Sequence, residues 1–289
     1  MPLVFNLLLL LMIFPLYGMG AKFLLLPNSV EQLAIGNHST LSGLSPVNPA
    51  LFSVGKKQSS LVLNRGVWIG DANLIQIGFN QQSDSKVFHL GAKYSGLTGF
   101  EYREDVAQDD PLSYFSSYGL SLNSGISFTK KNNQFGFSLS YIKMGLYTQE
   151  TSGFLFNTGY AYTLNSGLKI GLSLENLGDI DAFVSQEIKL PQRVISTISK
   201  EKKFKNYTNN LYSSVGWYKN SANIEYFLGN KLNWNYLDIF LGLLYSKSMV
   251  EPSIGFSLEM NTIIVSYGIR FGSQNLGNPY MISLNLLLP

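Results

Sequence analysis

From Val250 to Leu288, bulky apolar residues and small or polar ones trade places at almost every step. Val250, Pro252, Ile254, Phe256, Leu258 and Met260 share one parity, and Glu251, Ser253, Gly255, Ser257 and Glu259 the other. Ile263, Val265, Tyr267, Ile269 and Phe271 oppose Ile264, Ser266, Gly268, Arg270 and Gly272. Tyr280, Ile282, Leu284, Leu286 and Leu288 oppose Met281, Ser283, Asn285 and Leu287. A period of two belongs to an extended strand, whose side chains point to alternate faces. Each stretch runs about ten residues, the length of a tilted strand crossing a bilayer. Short polar turns such as Asn261-Thr262 join them.

The same writing recurs upstream, where Phe135, Phe137, Leu139 and Tyr141 oppose Gly136, Ser138 and Ser140. It predicts strands at 60–69, 72–80, 86–103, 115–130, 134–147, 151–164, 167–177, 189–199, 207–219, 221–230, 236–246, 249–259, 262–271 and 279–288. That is about fourteen, an even count within the range of bacterial outer-membrane barrels. Short connections (Lys131-Asn132-Asn133, Asn165-Ser166) alternate with longer ones at 104–114, 178–188 and 272–278. This is the asymmetry of periplasmic turns and outer loops, and with an even count it leaves both chain ends in the periplasm.

Period alone does not say which face is buried, because a soluble lipocalin-type barrel keeps its apolar face inside. Strand number decides. About eight strands suffice for the soluble case, whereas about fourteen enclose more room than their own side chains fill. A second face of glycine, serine and a few charges suits a wet or plugged lumen, and large aliphatics suit lipid. Composition agrees: charged residues make up 13% of the 289, against about 25% in soluble domains. Aromatics, also 13%, fit the girdles that barrels carry at headgroup level. The expected fold is all-β, a transmembrane antiparallel β-barrel of about 14 strands with an N-terminal luminal hatch segment. The lipid bilayer of a Gram-negative outer membrane is its first partner.

The N-terminal part reads differently. Residues 1–20 resemble an export signal, with an apolar run from Leu3 to Tyr17 and small residues at Gly18 and Gly20, although no Lys or Arg precedes the run. Residues 21–59 do not alternate and are rich in Asn, Ser, Gly and Pro. Ser29 is placed to cap a short helix there. The division expected is a signal peptide (1–20), a hatch or plug (21–59) and an outer-membrane barrel (60–289). With no cysteine in the chain, a disulfide framework, a thiolate metal site and an acylated N-terminal cysteine are all excluded.

Residues able to carry chemistry are few. His38 sits beside Ser39 in the N-terminal segment, and His89 lies on the inward parity with Val87, Gly91 and Lys93. Neither shows the serine and acid partners of a hydrolase, and both read as structural polar groups. No metal or cofactor motif is present, and a net charge of +3 without a basic patch gives no reason to expect nucleic acid. The chain is expected not to be an enzyme. Lys169, Glu175, Glu225, Asp238, Glu251, Glu259 and Arg270 fall on inward parities and form a candidate luminal charge network.

Phe23-Leu24-Leu25-Leu26-Pro27-Asn28-Ser29, then Ala34-Ile35-Gly36, then Asn48-Pro49-Ala50-Leu51 resemble the mature start of the PorV/PorQ family. Those proteins are outer-membrane barrels related to the fatty-acid transporter FadL. Glu175-Asn176-Leu177-Gly178 and Lys189-Leu190-Pro191 continue the likeness more loosely. Departures are Val30-Glu31 in place of the usual arginine, Asn37 in place of a second glycine, and Ser39, Thr40 and Ser42 in place of acidic residues. A further departure is the end, Leu286-Leu287-Leu288-Pro289, which lacks the usual aromatic. The resemblance implies a fourteen-stranded barrel with its N-terminal segment in the lumen, the hatch motif falling on Phe23, Leu24, Pro27, Ser29, Gly36, Asn48, Pro49 and Ala50. It also implies work with secretion-machinery proteins or secreted cargo of a type IX-like system, or, as in the FadL-like relatives, passage of hydrophobic small molecules such as fatty acids. The secretion role is the first expectation and transport the alternative. For transport, inward Ile142, Met144, Leu146 and Leu155 are the candidate pocket.

Overall fold

A computed structural model describes residues 20–54, 58–103, 109–183, 187–219, 223–247, 249–272 and 277–288. The expected signal at 1–20 therefore lies, but for Gly20, outside the described residues. Fourteen strands form one closed antiparallel barrel in which each pairs with its sequence neighbours. They are β1 (Ser59–Trp68), β2 (Ala72–Ser83), β3 (Lys86–Tyr102), β4 (Ser113–Lys130), β5 (Asn133–Leu146), β6 (Gln149–Thr163) and β7 (Leu168–Ile180). After these come β8 (Arg193–Lys203), β9 (Thr208–Tyr218), β10 (Ile224–Trp234), β11 (Leu237–Ser246), β12 (Met249–Met260), β13 (Ile263–Arg270) and β14 (Tyr280–Leu288). Closure is made by β1 on β14, from Ser59↔Leu288 to Val67↔Tyr280. Every strand is paired on both sides over most of its length, which removes the main route to edge-to-edge aggregation.

The predicted parities hold around the wall. Ser253, Gly255 and Ser257 point inward, while Leu90 at 60% exposure and Leu211 at 57% stand outward. In water such a ring of exposed aliphatics would drive association, so the wall is built for acyl chains. The protein is an outer-membrane barrel of the Gram-negative type. Leu288 at the end of β14 and the short turns, such as Asn235-Tyr236 and Asn261-Thr262, lie at one end, the periplasmic one; Tyr102, Ser113, Ile180 and Arg193 lie toward the other.

Several strand bounds differ from expectation. β8 starts at Arg193, not 189, because Pro191 has no N–H for a ladder and Leu190 sinks into the core at 5% exposure. At its far end β8 continues through Lys200–Lys203, a charged run that reads as a turn but reaches headgroup level still extended. β7 runs on to Ile180, and β10 covers Ile224–Trp234 instead of 221–230.

The lumen is occupied by the N-terminal segment. A 3-10 turn at Gly20–Leu25 leads to a one-helix unit, α1 (Val30–Ile35), and a second 3-10 turn covers Pro49–Leu51. Ser29 caps α1 as expected, its Oγ accepting from Gln32 N at 3.2 Å. Gly36 ends the helix at φ +94°, where a Cβ would also lie 2.8 Å from the Phe227 ring.

Candidate functional site

The inward glycines explain how the segment fits. A Cβ built on Gly136 of β5 would stand 2.2 Å from the Pro49 carbonyl, and one on Gly159 of β6 1.7 Å from Asn48 Oδ1. On Gly171 of β7 it would lie 2.1 Å from the Ser39 carbonyl, and on Gly242 of β11 2.3 Å from that of Ala34. The glycines let the hatch backbone lie directly on the wall. Their spread over strands far apart shows that the hatch touches most of the circumference.

Polar side chains then fasten it. Asn48 is fully buried, and its Nδ2 reaches the carbonyls of Ser39 (2.7 Å), Tyr160 (3.1 Å) and Leu172 (3.3 Å) while Oδ1 accepts from Ala50 N at 2.9 Å. Helix α1 ends with carbonyls that have no partner inside the helix, and the wall and the hatch itself supply partners. Arg270 Nη2 donates to Leu33 O at 3.2 Å, Ser253 Oγ to Ala34 O at 2.9 Å, and His38 Nε2 to Ile35 O at 2.7 Å. That last bond puts the proton on Nε2, so Nδ1 accepts from Ser214 Oγ at 2.5 Å. Burial pushes the His38 imidazole down to about 4, the Ile35 carbonyl opposing in part. The His–Ser pair is sealed, at 0% and 2% exposure, with Tyr212 stacked on the ring. It holds the hatch and has no room for a substrate. His38 and Ser39 diverge as an extended chain requires: Ser39 Oγ bonds Ser173 Oγ at 2.8 Å and Ile195 O at 2.9 Å. His89 stacks on Phe52 of the hatch, with centroids 4.2 Å apart.

Of the seven predicted inward charges, Glu175 and Glu225 are linked through Arg193 and Tyr218, and Glu225 and Glu251 both act on Arg270; Asp238, Glu259 and Lys169 lie apart from these. One Glu175 oxygen, Oε2, accepts from both Arg193 Nε and Nη2 at 3.0 and 2.8 Å, both residues buried. Asp238 lies 3.2 Å from Lys231, which also holds Glu31 of α1 at 2.7 Å. Glu259 lines the same periplasmic cleft, about 260 Å³, between α1 and the wall. Glu225 accepts from Tyr218 Oη at 2.5 Å, Lys169 donates to Ser42 Oγ at 3.2 Å, and Arg270 lies on α1 and over Trp68. Glu251 is half-buried on β12. The residues missed were Arg193, Lys231 and Lys93, whose Nζ donates to Leu26 O at 2.6 Å and Asn28 Oδ1 at 3.0 Å. Inward parity marked Lys93 alone; Arg193 and Lys231 left no local signal, because their partners come from elements remote in sequence.

Of the hatch-motif residues, Phe23, Pro27, Gly36, Asn48, Pro49 and Ala50 are buried, and Leu24 and Ser29 are half-buried. Phe23 and Leu26 join Ile142, Met144, Leu155, Leu190 and Met281 in one apolar cluster under the outer mouth. Leu146 does not line it: at 43% exposure it shares the parity of Met144 but stands above the rim. Below the cluster a small polar cavity of about 90 Å³ is lined by Leu155 with His89, Lys93, Asn123 and Asn157.

The wall beside that cluster is interrupted. β7 pairs with β6 up to Gly153↔Ile180, but with β8 only as far as Glu175↔Arg193. A bulge at the same height sets Asn157 against Glu175 and Asn176, and Asn157 Oδ1 accepts the freed Asn176 N–H at 2.7 Å. Segment 187–192 covers the seam by single contacts, Asn176 Nδ2 to Pro191 O at 3.0 Å and Lys219 N to Gln192 O at 3.1 Å. Leu190 from this segment sits in the apolar cluster.

The sequence matches no family profile and no curated protein. Among solved structures, the Pseudomonas putida toluene transporter TodX superposes with a TM-score of 0.61 at 11% identity, over 89% of this chain and 95% of that one. A TodX monoaromatic hydrocarbon channel with a deltaS2S3 mutation gives 0.60 at 11% identity, over 94% and 98%. A Pseudomonas aeruginosa FadL homologue gives 0.55 at 9% identity, over 90% and 98%. The chain has the fold of these FadL-like outer-membrane channels.

Proposed function

We propose that the protein carries hydrophobic small molecules across the outer membrane without chemistry. One observation carries the reading: the apolar cluster of Phe23, Ile142, Met144, Leu155 and Leu190 lies directly behind the place where β7 loses β8. A hydrophobic solute entering at the outer mouth meets apolar side chains. Its way out is the seam, which is closed by a few hydrogen bonds instead of a ladder. The hatch meanwhile blocks a straight aqueous path. The resemblance in fold to toluene and FadL-type channels supports this choice.

The secretion-accessory reading rests on the N-terminal wording that resembles PorV/PorQ. Most of those residues are buried against the wall, where they fasten a hatch and meet no partner protein. The wording fits hatch architecture, which both kinds of barrel need. The test is a gene deletion scored twice, for uptake of labelled toluene and long-chain fatty acid and for the secreted proteome. Lost uptake with unchanged secretion is expected. Unchanged uptake with missing secreted proteins would reverse the assignment in favour of the secretion role.

A further inference from the structure

The lipid-facing wall is not uniform. Across β8 to β11, Ile198, Leu211, Leu228, Leu241 and Leu243 enclose an open groove of about 600 Å³, within the about 300–1,000 Å³ of ligand clefts. Ser213 makes its floor. It pairs with Ile198 on one side and Leu228 on the other, and so places a short side chain between two long ones. The row next to it on the periplasmic side alternates polar and apolar residues. Lys200 stands opposite Leu211, and Leu211 opposite Asn230, whose Nδ2 donates to Asn209 Oδ1 at 2.7 Å.

The charge there is one-sided. Lys200 donates to the carbonyl of Ser166 in the neighbouring turn, which holds its ammonium at the groove's edge with further protons to give. Lys202 shares its outward parity, and Lys203 and Lys205 follow; within 200–205 the one acid is Glu201. Glu201 pairs with Lys203 at 3.3 Å, which leaves Lys200 and Lys202 facing the membrane. β8 ends at Lys203 on the side of the short turns and of Leu288, so both lysines stand at the level of the periplasmic headgroups.

We propose that this groove seats one acidic glycerophospholipid of the periplasmic leaflet. An acyl chain lies along Ile198, Leu228 and Leu243 over Ser213, and the phosphate meets Lys200 and Lys202. Hydrocarbon alone would fill the groove with any lipid; the paired lysines select the anionic headgroup, each by about five-fold. The proposal depends on the barrel spanning the membrane and not on what the barrel carries.

The full chain, equilibrated in nanodiscs of equal phosphatidylglycerol and phosphatidylethanolamine, is released into mild detergent and weighed by native mass spectrometry. One phosphatidylglycerol per chain is expected in preference to phosphatidylethanolamine. Lys200→Gln with Lys202→Gln should lower that retention about 25-fold, five-fold for each lysine, and abolish the preference. Ser213→Phe should fill the groove and remove both lipids. Heat-modifiable gel migration identifies folded variants, and either variant alone suffices. Equal retention of the two lipids, no retained lipid, undiminished phosphatidylglycerol in the double variant, or a second copy of the chain in place of lipid would overturn the proposal.

Discussion

At the scale of single residues, the lumen is held by close approach and by buried polar bonds. Gly136→Val would drive a side chain into the Pro49 carbonyl 2.2 Å from its Cβ. Because overpacking costs about 1–3 kcal/mol, we expect the hatch to loosen while the ladder stays closed. Limited proteolysis should then cut within 21–54 and spare the barrel. Glu175→Gln leaves Arg193 buried without its counter-charge, a loss of about 3–5 kcal/mol. Glu175→Met combined with Arg193→Met should recover most of it, read as the melting temperature in detergent. His38 titrates in a known direction. Its value in the docked hatch, about 4, lies below the free value of 6.5, so the undocked state binds the proton first. Docking keeps its full strength above about pH 6.5 and weakens by about 1.4 kcal/mol per unit as pH falls toward about 4. Hydrogen exchange over 36–42 should quicken across that window in the native chain and lose this component in His38→Gln.

At the scale of elements, the strands and the hatch differ in how they were written. Strand parity is a local signal, and the facing of residues such as Lys169, Glu175 and Arg270 followed from it directly. The cap at Ser29 was legible for the same reason. The seam between β7 and β8 was not, because Leu190 looks like the start of a strand until its burial in the cluster is seen. The ion groups were half legible: Glu175 and Asp238 were marked by parity, while Arg193 and Lys231 acquire meaning only once remote strands close the wall. Neither local pattern nor composition encodes which inward glycine lies under which hatch carbonyl. Deleting 21–54 tests the plug as an element. The closed ladder should survive, since every strand keeps both neighbours, and planar-bilayer recordings should change from no ionic current to a steady open pore. Ser29→Ala, which removes one helix cap, should weaken hatch docking by about 1 kcal/mol, seen as faster exchange at α1.

At the scale of the molecule, the barrel is a wall for lipid outside and a socket for its own N-terminal segment inside. On the proposed transport role, what passes is set by what the hatch leaves open, an apolar cluster at the outer end beside a lightly fastened seam. The most direct measurement is uptake of labelled toluene and long-chain fatty acid by cells depleted of other channels. Such cells would carry either the native chain or the Met144→Asp, Leu155→Asp variant at equal surface level. The account predicts uptake above the empty-vector background for the native chain and its loss in the variant. Equal uptake by the two, or none above background by either, would contradict it.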